Sequence, residues 1–299
     1  MRGRLPFWFK QKPANPKTML TMEGLLDGLS LHTICESAHC PNVGDCFSRK
    51  TATFLILGDI CTRRCTFCAV KKGHPLPVDE EEPQHLLEAA EKLNLSYIVI
   101  TSVTRDDLFD GGASQFVKVI NILRENRAGA IVEVLIPDFH GSAEALKAVV
   151  EARPQVINHN VETVPRLYPK VRPGADYSRS LELLFMAKNL NLEIITKSGL
   201  MLGLGETKEE IVEVMKDLRE ANCDLLTLGQ YLQPSPKHHP VVRFVSPEEF
   251  SRYRDIGKEI GFIEIAAAPL VRSSFKAAEL YAKVKGDAHS LDSPSVTRV

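Results

Sequence analysis

The chain has 299 residues, of which 44% are hydrophobic and 25% charged. That ordinary globular composition excludes disordered and low-complexity classes and leaves room for one large α/β barrel or two smaller domains. Its 37 Lys and Arg against 38 Asp and Glu leave a net charge of -1, so no global field attracts nucleic acid.

The basic start from Met1 to Pro13, with Phe7, Trp8 and Phe9, lacks the apolar core of a secretory signal. No apolar run reaches the roughly 18 residues of a membrane span. A cytoplasmic protein without membrane or nucleic-acid partners is expected. After residue 50, strand-like runs alternate with amphipathic helix-like runs. The strands are expected at Thr53 to Leu57, Tyr97 to Thr101, Ile131 to Leu135, Val156 to His159, Glu193 to Thr196, Leu225 to Leu228 and Ile263 to Ala266. Helices are expected between them at Glu82 to Leu93, Ala113 to Arg127, Ser142 to Glu151, Ser178 to Asn189, Lys208 to Ala221 and Pro247 to Ile260. Thr207 with Glu210 reads as a capping box, and Ser246, Pro247 and Glu249 form a second start signal.

Such alternation builds right-handed βαβ units on a parallel sheet. The α/β class follows, with a partial TIM-type barrel expected over residues 51–270. Residues 1–50 and 271–299 stand outside the repeat and are expected to be extensions, with His289 to Val299 frayed. The polar, glycine-bearing segments fall after the strands, including Gly58 to Cys68, Asn160 to Glu162, Lys197 to Glu206 and Gln230 to Pro240. In barrels that rim carries the chemistry.

Six of the seven cysteines fall between Cys35 and Cys68, a crowding that points to metal rather than disulfides in a large cytosolic chain. Cys61, Cys65 and Cys68 form a C-x3-C-x2-C triplet directly after the first strand. Three thiolates bind three irons of a 4Fe-4S cubane and leave the fourth open, whereas zinc favours four ligands in C-x2-C pairs. Cys35, Cys40 and Cys46 make a C-x4-C-x5-C triplet upstream, which suits a second cluster lacking one ligand. His39 and His32 are the local candidates for that ligand.

The C-x3-C-x2-C loop, with Phe67 before its last cysteine, resembles the signature of the radical S-adenosylmethionine superfamily. In that family S-adenosylmethionine chelates the open iron, and one electron cleaves it to a 5′-deoxyadenosyl radical. The two triplets together, with the Glu36-Ser-Ala-His-Cys-Pro-Asn stretch, resemble the lipoyl synthase family. Further blocks agree: Thr101 to Leu108, Asp110-Gly-Gly, Asn158 to Thr163, Val171 to Tyr177, Lys197 to Glu206, Gln230 to Ser235 and Val271-Arg-Ser-Ser.

The resemblance implies an enzyme, a sulfurtransferase that replaces hydrogen at C6 and C8 of an octanoyl chain with two sulfur atoms from the auxiliary cluster. The chain is carried on a lysine of a lipoyl carrier, either glycine cleavage H protein or 2-oxoacid dehydrogenase E2. The implied cofactors are two 4Fe-4S clusters with S-adenosylmethionine as co-substrate, and the implied electron donor is a ferredoxin or flavodoxin. An unactivated C–H bond offers no acidic proton, so cofactor-borne radical chemistry is what the task requires.

By the same resemblance Ser274, in Arg272-Ser273-Ser274-Phe275, supplies the fourth ligand of the auxiliary cluster, with Ser273 as the alternative. Phe275 stands where the family has tyrosine. Asn160 and Glu162 resemble the ribose-binding pair of biotin synthase. Arg179 is a candidate for the methionyl carboxylate, and Lys197 is expected to end the fifth strand facing the cavity. Cys223 is expected to be a buried small hydrophobe, His238 and His239 to be solvated, and Asp79 to Glu82 to be a helix-start acid cluster. Arg63-Arg64 and Lys71-Lys72 suit either an acidic carrier or plain solubility. The competing functions are a biotin-synthase-like or methylthiotransferase enzyme and a non-catalytic iron-sulfur electron carrier. The roughly 60 residues before Cys61 are too few for the usual methylthiotransferase domain.

Overall fold

The computed structural model describes residues 5–10 and 14–286, and the stretch from His289 to Val299 lies outside them. Seven strands run in chain order: Thr53–Ile56, Tyr97–Ser102, Ile131–Leu135, Val156–Asn158, Ile195–Leu202, Leu225–Gln230 and Glu264–Ala267. Each pairs in parallel with the next. Helices Glu82–Lys92, Ala113–Asn126, Ala143–Glu151, Tyr177–Leu190, Lys208–Glu220 and Pro247–Ile260 form the crossovers. Among the described residues the first and last strands are not paired with each other, and His32–Thr33 adds an antiparallel edge to the first. The fold is a partial TIM-type barrel.

The local signals work as expected. Thr207 and Glu210 exchange both hydrogen bonds of a capping box, and Ser246 caps the helix that opens at Pro247. Phe54, Leu55 and Ile56 are all buried because a parallel strand is covered on both faces.

The fifth strand differs from expectation. It starts at Ile195 and continues through Lys197 to Leu202, every residue from Ile195 to Leu200 being buried. Lys197 is therefore mid-strand, with its Nζ 2.8 Å from Glu133 of the third strand and both side chains 1% exposed. Glu133 also accepts from Tyr97 Oη at 2.6 Å and Asn158 Nδ2 at 3.2 Å. A buried lysine persists only when paired and hydrogen-bonded, and this network supplies both.

After the last strand the chain turns back into the barrel. A Cβ at Gly199 would lie 2.9 Å from Ser273 Oγ, and one at Gly229 would collide with the carbonyl of Val271. Only glycine admits the returning segment at these two places. Helix Ala277–Lys285 then closes the lower end, where Leu280 packs on Val156, Ile195 and Leu225, which lie at the starts of three strands. The Tyr281 ring meets Tyr97 at 5.8 Å.

At the other terminus, helix Pro16–Gly28 packs on Val43–Ser48 and buries Met22, Leu26 and Phe47. The two extensions meet where Asn42 Nδ2 donates to Leu270 O at 2.7 Å.

Candidate active site

The first strand ends in an enforced turn. Leu57 is left-handed at φ 68, a conformation a branched residue holds only when its surroundings fix it. Its N–H donates to Glu82 at 3.0 Å and its carbonyl accepts from Arg105 Nη1 at 3.4 Å. Glu82 is thus more than a helix-start acid: it is buried and also accepts from Gln115.

Beyond this turn the loop of the first triplet is tied to four other strand ends. Thr62 N–H donates to Thr104 O at 3.0 Å, and Thr104 N–H points at Cys61 Sγ at 3.4 Å, both behind the second strand. Arg63 is buried and forks onto Asp106 at 2.9 Å through two bonds, and reaches Asp138, behind the third strand, at 2.5 Å. Thr66 N–H donates to Val171 O at 2.9 Å, behind the fourth strand. From behind the sixth, His239 N–H donates to Thr66 O at 2.9 Å, and His238 Nε2 lies 3.1 Å from Cys68 O. The two histidines expected to be solvated are therefore partly buried fasteners of the cysteine loop. Arg63 is committed to the ion network, while Arg64, Lys71 and Lys72 remain exposed.

The second triplet has lighter support. Thr33 caps the short helix Ile34–Ser37 that carries Cys35, and Cys46 rides on helix Val43–Ser48. Cys40 N–H returns to Cys35 O at 2.9 Å, across the left-handed His39. Thr53 lies beside Cys35 and meets Ser274 Oγ at 2.7 Å. The Arg49 guanidinium lies 5.9 Å over the Phe275 ring, so the phenylalanine that replaces tyrosine still packs.

Both triplets face one cavity of about 490 Å³, lined by Cys35, Cys40, Cys61, Cys65 and Cys68 together with Asn160, Glu162, Ser273 and Ser274. Much of the remaining wall is apolar, including Leu55, Val103, Leu135, Ile136, Leu200 and Met201. Cys46 stands just behind this wall, close enough to Cys35 for their charges to interact. Asn160 Nδ2 donates to Glu162 Oε1 at 3.0 Å.

Two residues expected at the cofactor stand away from this cavity. Arg179 turns to Asp138 at 3.3 Å and lines a separate hollow of about 30 Å³, because its helix lies outside the barrel. Lys197 is held below the cavity by Glu133. The cations that do face the cavity are Arg172 and Arg272. Arg172 Nη1 donates to Asn160 O at 2.9 Å, and its charge is felt by Cys65 and Glu162. The Val171-Arg172-Pro-Gly block was the available signal for it. Cys223 is wholly buried, as expected.

Burial pushes the thiols of Cys35 and Cys68 from 9.0 up to about 12 and that of Cys46 up to about 11.

A family model described as the radical SAM superfamily matches residues 55–218. A lipoyl synthase of Caldanaerobacter subterraneus subsp. tengcongensis is 58% identical over 277 residues, covering 93% of this chain and 97% of that one. One of Aquifex aeolicus is 58% identical over 255 residues, covering 85% and 92%. The chain belongs to the lipoyl synthase family. It is accordingly a radical S-adenosylmethionine sulfurtransferase that inserts sulfur into the octanoyl group of a lipoyl carrier protein. Solved structures are alike in fold: methylornithine synthase at TM-score 0.50 and 18% identity, covering 75% of this chain and 68% of that one. HydG, a hydrogenase maturase, has TM-score 0.54 and 16% identity, covering 82% and 61%.

The radical S-adenosylmethionine domain of a lipoyl synthase implies a 4Fe-4S cluster, and the donor set fits one. Thiols held protonated by burial become ligands only when iron takes the place of the proton. The members of each triplet lie near enough for their charges to interact. Among the described residues no three His, Cys, Asp or Glu side chains close on a single-ion site, and thiolates on three different irons of a cubane have no need to.

Proposed function

We propose that this lipoyl synthase works with two 4Fe-4S clusters across one cavity: Cys61, Cys65 and Cys68 hold the first, and Cys35, Cys40, Cys46 and Ser274 hold the second as sulfur donor. The observation that carries this is the single cavity, walled by cysteines of both triplets and by Ser274. When bound, the first cluster supplies the electron that cleaves S-adenosylmethionine into a hydrogen-abstracting radical. Everything else falls to the chain.

Asn160 and Glu162 bind the ribose hydroxyls, an amide and a carboxylate being complementary to a vicinal diol. To Arg172 we assign the methionyl carboxylate in place of Arg179, supported by its facing the cavity beside Cys65. The apolar wall takes the octanoyl chain and keeps water from the radical. Ser274, an oxygen ligand, binds iron less firmly than a thiolate and so suits a cluster that must be dismantled. Residues 1–50 and 271–299 serve as the auxiliary-cluster extensions of a barrel spanning 51–270. The carrier is H protein or an E2 domain, the electron donor a ferredoxin or flavodoxin, and the location cytoplasmic, where thiols stay reduced.

The test is anaerobic reconstitution with iron and sulfide, then incubation with an octanoylated carrier peptide, S-adenosylmethionine and reductant. Mass spectrometry should show a peptide with two added sulfur atoms. A product with a single sulfur on another acceptor, or cleavage of S-adenosylmethionine with no sulfur transfer at all, contradicts the proposal.

A further inference from the structure

The segment that carries Ser274 touches both sides of the cavity within three residues. Ser274 Oγ accepts from Thr53 Oγ1 at 2.7 Å, and Thr53 lies beside Cys35. Arg272 stands where the charges of Cys40 and Glu162 both reach it. Between them, Ser273 Oγ lies 2.7 Å from Asn160 Nδ2 and 3.0 Å from Asn160 Oδ1. The contact is tight: a Cβ at Gly199 would sit 2.6 Å from Asn160 Oδ1 and 2.9 Å from Ser273 Oγ, so the strand gives way to let the pair meet.

We infer that Ser273 is a positioning residue that orients the Asn160 amide for S-adenosylmethionine, and that through it occupancy of the auxiliary site and affinity for S-adenosylmethionine are coupled. This rests on Asn160 gripping the ribose and on Ser274 belonging to the auxiliary site, as proposed above. Glu162 holds the Asn160 amide from one side at 3.0 Å, and Ser273 is its partner on the extension. With Ser274 engaged, Ser273 is pinned against Asn160. With Ser274 released, the segment slackens and the amide loses one of its two guides. Coupling between two sites is reciprocal, so S-adenosylmethionine must steady the auxiliary cluster by the factor by which that cluster raises affinity for S-adenosylmethionine.

The test uses reconstituted holoenzyme under anaerobic conditions, with equilibrium dialysis of S-adenosylmethionine. Ser273→Ala should keep its full iron and sulfide and raise Kd about fivefold to tenfold, the worth of one hydrogen bond. Asn160→Ala should raise Kd at least as much. Removing Cys35, Cys40 and Cys46 together should raise it to a similar degree as Ser273→Ala. A second measurement needs no variant: saturating S-adenosylmethionine should slow chelator removal of auxiliary iron from the unaltered enzyme several-fold.

Wild-type affinity in Ser273→Ala alongside weakened Asn160→Ala overturns the inference while sparing the ribose assignment. Wild-type affinity in Asn160→Ala shows that the ribose assignment itself has failed and takes the inference with it. Loss of half the iron in Ser273→Ala makes Ser273 a ligand instead of a guide. Auxiliary iron leaving at the same rate with and without S-adenosylmethionine removes the coupling.

Discussion

The loop of Cys61, Cys65 and Cys68 faces the same cavity as Cys35 and Cys40, with Cys46 behind its wall, but the two triplets are held in different ways. The first hangs from the barrel itself, through Thr104, Asp106, Asp138, Val171 and His239 at four strand ends. The second sits outside the barrel repeat, on the edge strand His32–Thr33 and the packed helices Pro16–Gly28 and Val43–Ser48, and meets the other extension through contacts such as Asn42 to Leu270 O and Thr53 to Ser274. A cluster that must cleave S-adenosylmethionine twice and survive needs fixed geometry. A cluster that gives up its sulfur needs a mount that yields. The difference in mounting matches the proposed difference in fate.

The largest expected effect separates the triplets outright. Changing Cys61, Cys65 and Cys68 to Ala should abolish deoxyadenosine formation. Changing Cys35, Cys40 and Cys46 should leave it measurable while lipoyl product disappears. Chromatography of both products decides, and equal cleavage of S-adenosylmethionine by both variants breaks the comparison.

Next comes the mount of the second cluster. Ser274→Ala should retain S-adenosylmethionine cleavage but lose completed product, whereas Ser274→Cys should yield an auxiliary cluster that is harder to dismantle. Product analysis with Mössbauer spectra checks both. A fully active Ser274→Ala enzyme with His39 or water on the fourth iron returns Arg272 to Phe275 to an ordinary turn.

The ion network offers a stability contrast. Arg63→Ala leaves Asp138, whose side chain is 0% exposed, without its main partner, and should cost about 3 kcal/mol and hasten iron loss from the first cluster. Asn42→Ala removes the hydrogen bond to Leu270 O, a neutral contact, and should cost about 1 kcal/mol, with iron loss confined to the second. Urea unfolding of the apoprotein and chelator kinetics measure the two effects. Comparable costs, or iron loss from the opposite cluster, erase the contrast.

A smaller effect lies in pH. His159, adjacent to Asn160 and bonded to Ile136 O at 2.8 Å and Ser180 Oγ at 3.0 Å, is pushed down by burial from 6.5 to about 4. The unfolded chain therefore takes a proton below pH 6.5 that the folded one refuses until about 4. The stability it contributes is full above 6.5 and is lost as pH falls toward 4. Asp138, despite burial, is held well below the usual carboxylate range by Arg63 and extends the loss further into acid. Urea midpoints against pH should flatten between 6.5 and 4 in His159→Gln. An unchanged acid limb assigns the sensitivity elsewhere.

The sequence carried the alternation of strands and helices clearly, and the cysteine spacings placed one triplet on the rim of the barrel. It misled at Lys197, Ser198 and Gly199, because polar and glycine residues inside a barrel resemble a loop until the wall around them is known. Glu133, which neutralises Lys197, lies 64 residues away, and Thr53, which meets Ser274, lies 221 away. Such pairings leave no local trace. Arg179 carries a suitable charge but turns to Asp138, and Arg172, which faces the cavity, stood in a block noticed only as part of a resemblance.

The most direct test of two separately mounted clusters is anaerobic iron and sulfide analysis with Mössbauer spectroscopy on the unaltered chain and on both triple cysteine variants. Two 4Fe-4S clusters should appear in the unaltered chain and one in each variant, with S-adenosylmethionine coordinating an iron of the cluster on Cys61, Cys65 and Cys68 alone. A single cluster in the unaltered chain, zinc in either site, or coordination of S-adenosylmethionine by the cluster on Cys35, Cys40 and Cys46 would contradict the account.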